Sequence, residues 1–280
     1  MTSKIIDDKS VHCIPFISEH LSKQRRKCLD KGEQPLPCFL ELNGVQGAGK
    51  TTLTSRSPPR SLPTTILSID DLYPTHTAQV ALAQSRPDNP LIQHRGEPST
   101  HGLGLGASVF AALKARQPGD RAHESEEVNK PGEPTIDVVV FEGWCVGFRP
   151  LSDAEVEKKW TEAREEKLWE TQLAKHRLRD LLFVNDALEG YSSLHAFINI
   201  DAEDTKDVYE WRLEQEAALR ASKGTGMTDE QVINFVNGYY PAYELYTATL
   251  RQGIFDSGGL GRQLRLIVDR GRRVKSVERA

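Results

Sequence analysis

The sequence predicts a doubly wound α/β fold, a parallel sheet of five strands flanked by helices. Five short apolar runs recur along the chain, each bounded by polar or turn residues. Longer charged segments lie between them, with apolar residues at helical spacing. The runs are continuous rather than alternating, as expected for strands covered on both faces. Strands that alternate with helices pair in parallel, because each crossover helix runs back and returns the chain to the end of the sheet where the previous strand began.

Taken in order, residues 1–34 are polar with scattered apolar positions and read as a leading helix or two. This segment (1–36) is expected to pack on a core domain of residues 37–280. The first run, PCFLELNGV (37–45), ends in Asn-Gly and fits a buried strand. TTILSIDDLY (64–73) is the second, and TIDVVVFEGW (135–144) is the third and the most strand-like. LHAFINIDA (194–202) and RQLRLIVDR (262–270) are the fourth and fifth. Between them, residues 151–188 carry apolar positions at helical spacing, and 203–224 read as a helix stopped by Gly224. Residues 228–255 open on a Thr-x-x-Gln cap and continue as an aromatic-rich helix. The stretch 119–134 is a polar loop, and no internal repeat is present.

Composition narrows the function classes. A chain of 280 residues, 38% hydrophobic and 27% charged, suits one large α/β domain. A net charge of −4, with no basic stripe interleaved with aromatics, gives no reason to expect a nucleic-acid or membrane partner. No apolar run approaches the roughly 20 residues that span a bilayer. The opening MTSKIIDDKSVHCIPF lacks the basic-then-apolar order of a secretory signal, so a cytoplasmic location is expected. Cys13, Cys28, Cys38 and Cys145 show no C-x-x-C spacing and read as reduced thiols.

Gly44-Val45-Gln46-Gly47-Ala48-Gly49-Lys50-Thr51 matches G-x-x-x-x-G-K-[ST] and sits between a predicted strand and a helix start. Glycines there let backbone N–H groups turn toward phosphate oxygens, and the positive end of the following helix adds attraction. Lys50 is expected to reach the outer phosphates of ATP, and the Thr51 hydroxyl to coordinate Mg²⁺, with Thr52 completing the cofactor-binding run. The second strand ends in Asp70-Asp71. One of this pair can take the proton from an attacking hydroxyl while the other orders water around the metal; the alternative is a helix cap or a turn. Glu142, at the end of the third strand, stands where a second acidic residue for the metal is expected. QHRGEPSTHG (93–102) packs Arg95, Thr100 and His101 into a short polar loop, suited to a small anionic or polyhydroxyl ligand or serving as a surface turn. Arg212, Glu216 and Arg220 fall four apart on one helix face. They form either an ion-pair ladder or a lid whose arginines close over a transferring phosphate.

Together the phosphate loop, SIDDLYPTH, RGEPSTH, FEGWCVGF, YEWRLEQEAALRASKGTGM and GYYPAYELY resemble the glycerate kinase-like P-loop kinases, which are related to uridine kinase, phosphoribulokinase and pantothenate kinase. The resemblance runs from about residue 15 to the end of the chain. It implies a five-stranded P-loop kinase fold that transfers the γ-phosphate of ATP, with Mg²⁺, to the hydroxyl of a small molecule, by D-glycerate 3-kinase-like chemistry or, as the alternative, that of a uridine or pantothenate kinase. It places the base at Asp70, Tyr73, Arg95 and His101 on the substrate side, the metal at Thr51, Asp71 and Glu142, and Lys50 and Arg212 against the transferring phosphate, with a lid around 203–224. Two departures stand out. About a dozen residues separate Thr51 from the second strand, near the minimum for a parallel crossover, and Pro58 and Pro59 forbid continuing its helix. A Tyr-Asp-Lys-Ser segment that relatives carry near LKARQPG (113–119) is absent, which makes a shortened chain that binds ATP with weak or no catalysis the alternative expectation.

Overall fold

The computed structural model describes residues 7–54, 62–116, 121–123, 126–130, 132, 134–165, 171–190, 195–255 and 261–280. Helix α1 (Ser10–Asp30) leads into β1 (Cys38–Gly44), and a glycine loop turns the chain into α2 (Lys50–Thr54). Next come β2 (Thr64–Ser68), α3 (His76–Ser85) and α4 (Leu103–Ala115). Within the polar stretch, β3 (Arg121–His123) and β4 (Glu126–Glu127) form a separate antiparallel pair. β5 (Val138–Gly143), α5 (Asp153–Glu165), α6 (Leu178–Ala187) and β6 (Ala196–Ala202) follow. The chain ends with α7 (Asp207–Lys223), α8 (Asp229–Gln252), β7 (Gln263–Val268) and β8 (Val274–Arg279).

The main sheet runs β2-β5-β1-β6-β7-β8. The five expected strands are parallel, and β8 adds a sixth, antiparallel to β7. β8 reads VKSVER and is almost wholly exposed, so it lacks the apolar run that marks the other five. β1 and β6 are buried at every residue, and a fully buried leucine such as Leu40 contributes roughly 1.5–3 kcal/mol. From β1 the chain crosses to one side for β2 and β5, then to the other for β6 and β7. β1 is therefore the switch point, outside whose carboxyl end a crevice opens.

The helices follow local rules. Thr228 and Gln231 form a reciprocal capping box at the start of α8, and Gly224 ends α7 with a left-handed φ of 72°. The helical stretch 151–188 is divided into α5, a 3₁₀ turn at Leu173–Lys175, and α6. At that turn the Glu244 carboxylate accepts from the Gln172 and Leu173 amides, and Trp160 Nε1 donates to His176 O at 2.8 Å. α3 was not legible as a helix, since it buries none of its residues. Cys13, Phe16 and Leu21 of α1 join the same apolar core as the sheet, and all four cysteines are buried free thiols. Among the described residues, no helix is long and apolar enough to cross a membrane. Pro58 and Pro59 lie outside the described residues, as do residues 117–119 of the LKARQPG stretch.

Candidate active site

The glycine loop is held from several directions. At its base, the buried Asn43 Nδ2 donates to Trp144 O at 3.0 Å and Val146 O at 2.7 Å. Gly47 and Gly49 take φ of 85° and 101°, which side chains rarely adopt. A Cβ on Gly47 would lie 2.5 Å from Trp211 Cβ, so the loop rests directly on α7. The side chains of Val45 and Ala48 are buried, and the Tyr243 hydroxyl accepts from Gln46 N at 3.4 Å. Lys50 folds back so that Nζ donates to Gly44 O at 2.6 Å. Burial lowers the Lys50 pKa, while the nearby Glu142 and Asp70 charges work against that shift. Thr51 is exposed at the start of α2, and Thr52 is half-buried.

The two acidic strand ends meet this loop through sheet register. Glu142 of β5 pairs with Leu42 of β1 on one side and with Ser68 of β2 on the other. Just past Ser68 a 3₁₀ turn, Ile69–Leu72, carries Asp70 and Asp71, and the neighbours diverge. Asp70 lines the cavity and accepts the Tyr73 hydroxyl at 2.8 Å. Asp71 instead accepts from Ser68 N at 3.1 Å, closing a capping box, and does not line the cavity. The cap that stood as the alternative for the pair therefore describes Asp71. Its carboxylate is engaged at the turn.

Lys50, Asp70, Tyr73, Arg95, Glu142 and Arg212 line a single cavity of about 980 Å³ at the carboxyl end of β1. Arg95 is exposed and stands over the Tyr73 ring at 5.1 Å. Burial raises the Tyr73 pKa first, and the Asp70 charge adds to the shift. Arg212 reaches the cavity from α7, with its guanidinium 5.1 Å over Phe235 and Nη1 donating to Gln215 Oε1 at 2.9 Å. Its Nε has no hydrogen-bond partner among the described residues.

Other expected residues sit elsewhere. His101 is 7% exposed and stacks behind Tyr73 at 5.0 Å between ring centroids, so it backs the ring instead of facing the cavity. Burial pushes its pKa down to about 4. Thr100 is fully buried and braces the loop, accepting from Gly96 N at 2.8 Å and donating to Glu97 O at 2.7 Å. The ladder on α7 is half formed: Arg212 Nη2 lies 3.7 Å from Glu216 Oε2, whereas Arg220 pairs with Asp229 at 2.7 Å. The cavity wall also includes His76, His94, Phe235 and Tyr239, which sequence reading did not single out. The GYYPAYELY stretch held the signal for Tyr239, whose hydroxyl donates to Arg95 O at 3.4 Å.

No family model matches the chain. Over 250 residues it is 35% identical to the kinase mug58 of Schizosaccharomyces pombe, an alignment covering 80% of this chain and 87% of that one. A solved structure of D-glycerate 3-kinase from Cryptococcus neoformans var. grubii superposes with a TM-score of 0.85 at 32% identity, covering 98% of this chain and 100% of that one. The chain belongs to the family of D-glycerate 3-kinase and its related fungal kinases. A third member, the chloroplastic D-glycerate 3-kinase of Arabidopsis thaliana, is 31% identical across 86% of this chain and 53% of its own length. In keeping with this family, the chain is an ATP-dependent kinase.

Proposed function

We propose that this kinase transfers the γ-phosphoryl group of ATP to a hydroxyl of D-glycerate or a closely similar small hydroxy acid. The observation that carries the reading is the convergence of Lys50, Asp70, Arg95, Glu142 and Arg212 on one cavity beside the glycine loop. Phosphoryl transfer needs positioning and charge neutralisation more than covalent chemistry, and this arrangement supplies both. The loop from Gly44 to Thr51 holds the phosphates, and Lys50 gives up its Gly44 carbonyl contact to reach them. Asp70 takes the proton of the attacking hydroxyl at its carboxylate, which the Tyr73 hydroxyl orients. Arg95 meets the acceptor's carboxylate. Arg212, on α7 acting as a lid, turns its guanidinium charge toward the transferring group.

Thr51 and Glu142 offer hard oxygen donors at the phosphate end, the chemistry that suits Mg²⁺, which keeps few protein ligands and shares the rest with phosphates and water. Bound there, Mg²⁺ would neutralise charge on the phosphates. The cavity already holds two arginines beside Lys50, which favours a catalytic chain over one that only binds ATP. A coupled ADP-release assay over D-glycerate, uridine and pantothenate tests the reading. Turnover on D-glycerate well above the other two is expected. Turnover on uridine or pantothenate alone overturns the acceptor, and ATP binding with no turnover on any of them overturns the catalytic reading.

A further inference from the structure

The turn between β7 and β8 is far from the cavity in sequence, yet it grips the glycine loop. Arg272 sits there with φ of 62°, a left-handed conformation costly for a side-chain-bearing residue. Asp269 holds it: Asp269 O accepts from Arg272 N at 2.8 Å, and Asp269 Oδ1 from Arg273 N at 2.9 Å. From this turn Arg272 Nε donates to Gly47 O at 2.8 Å, and Nη2 bonds Glu214 of α7 at 2.6 Å. Its guanidinium lies 5.3 Å over the Trp211 ring. Trp211 Nε1 in turn donates to Arg270 O at 2.8 Å. The N-terminal segment closes the back of the turn. The buried Lys9 Nζ donates to Arg272 O at 2.7 Å, and Asp8 Oδ2 accepts from Val274 N at 2.8 Å.

We infer that Arg272 is a positioning residue for phosphoryl transfer: it fixes the Gly47–Ala48 peptide and ties it to α7 beside Arg212. The peptide is planar and trans, so a Gly47 carbonyl drawn to Arg272 turns the Ala48 N–H to the opposite side. There it closes on Val45 O at 3.1 Å, inside the loop. A guanidinium suits this post because its rigid fork serves a carbonyl and a carboxylate at once while its face stacks on an indole, which an ammonium cannot do. Trp211 and Arg212 are adjacent, so the same contact sets the register of the arginine that enters the cavity. The inference rests on reading residues 44–51 as the ATP loop, but its geometric half can be measured without ATP.

The experiment compares wild type with Arg272→Ala, Arg272→Lys and Glu214→Gln. It uses hydrogen exchange at the Ala48 amide in the free protein, then ATP binding, then kinetics with D-glycerate. Losing a charge-assisted hydrogen bond predicts a KM for ATP raised about tenfold in Arg272→Ala, with kcat also reduced and the KM for D-glycerate within about twofold. Ala48 exchange accelerates in the same variant. Arg272→Lys restores only part of both, and Glu214→Gln, at a more exposed site, shifts the ATP KM about twofold in the same direction. Unchanged Ala48 exchange in Arg272→Ala and Arg272→Lys overturns the inference. So does a lower melting temperature without the split between the two KM values. If Arg272→Ala fails to fold, an unmoved ATP KM in both Arg272→Lys and Glu214→Gln overturns it as well. A wild type that shows protected Ala48 exchange but binds no ATP removes the ATP reading and the positioning role with it, leaving Arg272 as a structural tie.

Discussion

The two halves of the cavity are built in different ways. On the side proposed for the phosphates the contacts are backbone groups, and the loop is secured by Asn43, Tyr243, Lys50 and Arg272 through hydrogen bonds from separate elements. On the side proposed for the acceptor the contacts are side chains on short turns, and Arg95 is exposed with a ring face as its neighbour. A backbone cradle recognises what all nucleoside triphosphates share, so it can be rigid. A side-chain wall can be re-cut for a different acceptor without disturbing the loop, and substitutions on the two sides should separate accordingly.

The largest expected effect is at Asp70. Asp70→Asn keeps the shape and the Tyr73 contact but removes the proposed base, and kcat should fall about 10²–10⁴-fold with ATP binding unchanged. A full-rate Asp70→Asn enzyme would place the base elsewhere. Next comes His101, which supports the acceptor side from behind. Its folded pKa of about 4 lies below the ordinary 6.5, so the unfolded chain binds the extra proton between those values. Stability is therefore lost as pH falls from about 6.5 to about 4, by up to about 3 kcal/mol relative to a variant without the group. Denaturant melts of wild type and His101→Phe over that window should converge or cross as pH drops. The comparison also cancels Glu41, whose burial raises its pKa to about 7 and acts in the opposite direction.

Arg95→Ala should raise the KM for D-glycerate about tenfold while leaving the KM for ATP in place, the mirror image of the pattern expected at Arg272. Equal shifts in both constants would erase the distinction between the halves. The smallest effect belongs to Asp71. Asp71→Ala removes the capping-box hydrogen bond to Ser68 N, worth about 1 kcal/mol, and should leave kcat near wild type. A large loss of kcat there would return Asp71 to the metal site.

What could be read from the sequence follows the same division. A loop that works through its backbone needs glycines and a lysine at fixed spacing, so residues 44–51 announced themselves. The parallel strands were legible because burial on both faces forces continuous apolar runs. β8 carries no such run, and α3 buries no residue, so neither had a period to detect. Spacing alone did not separate Asp70 from Asp71, because residues in a 3₁₀ turn point about 120° from their neighbours and the choice depends on where the turn begins. His101 looked like a ligand because its burial is decided by Tyr73 stacking over it. Arg272 gave no local sign, since its partner is 225 residues away.

That separation also bears on how the protein is made. At roughly 5–20 residues per second, a ribosome finishes the glycine loop on the order of ten to forty seconds before it adds Arg272. Throughout that interval the nascent loop lacks the contact that fixes its Gly47 carbonyl, even after β1 has left the exit tunnel. The clasp between Arg272 and Gly47 can therefore form only after the β7–β8 turn has been made, so the loop and its tie are never folded as one local unit.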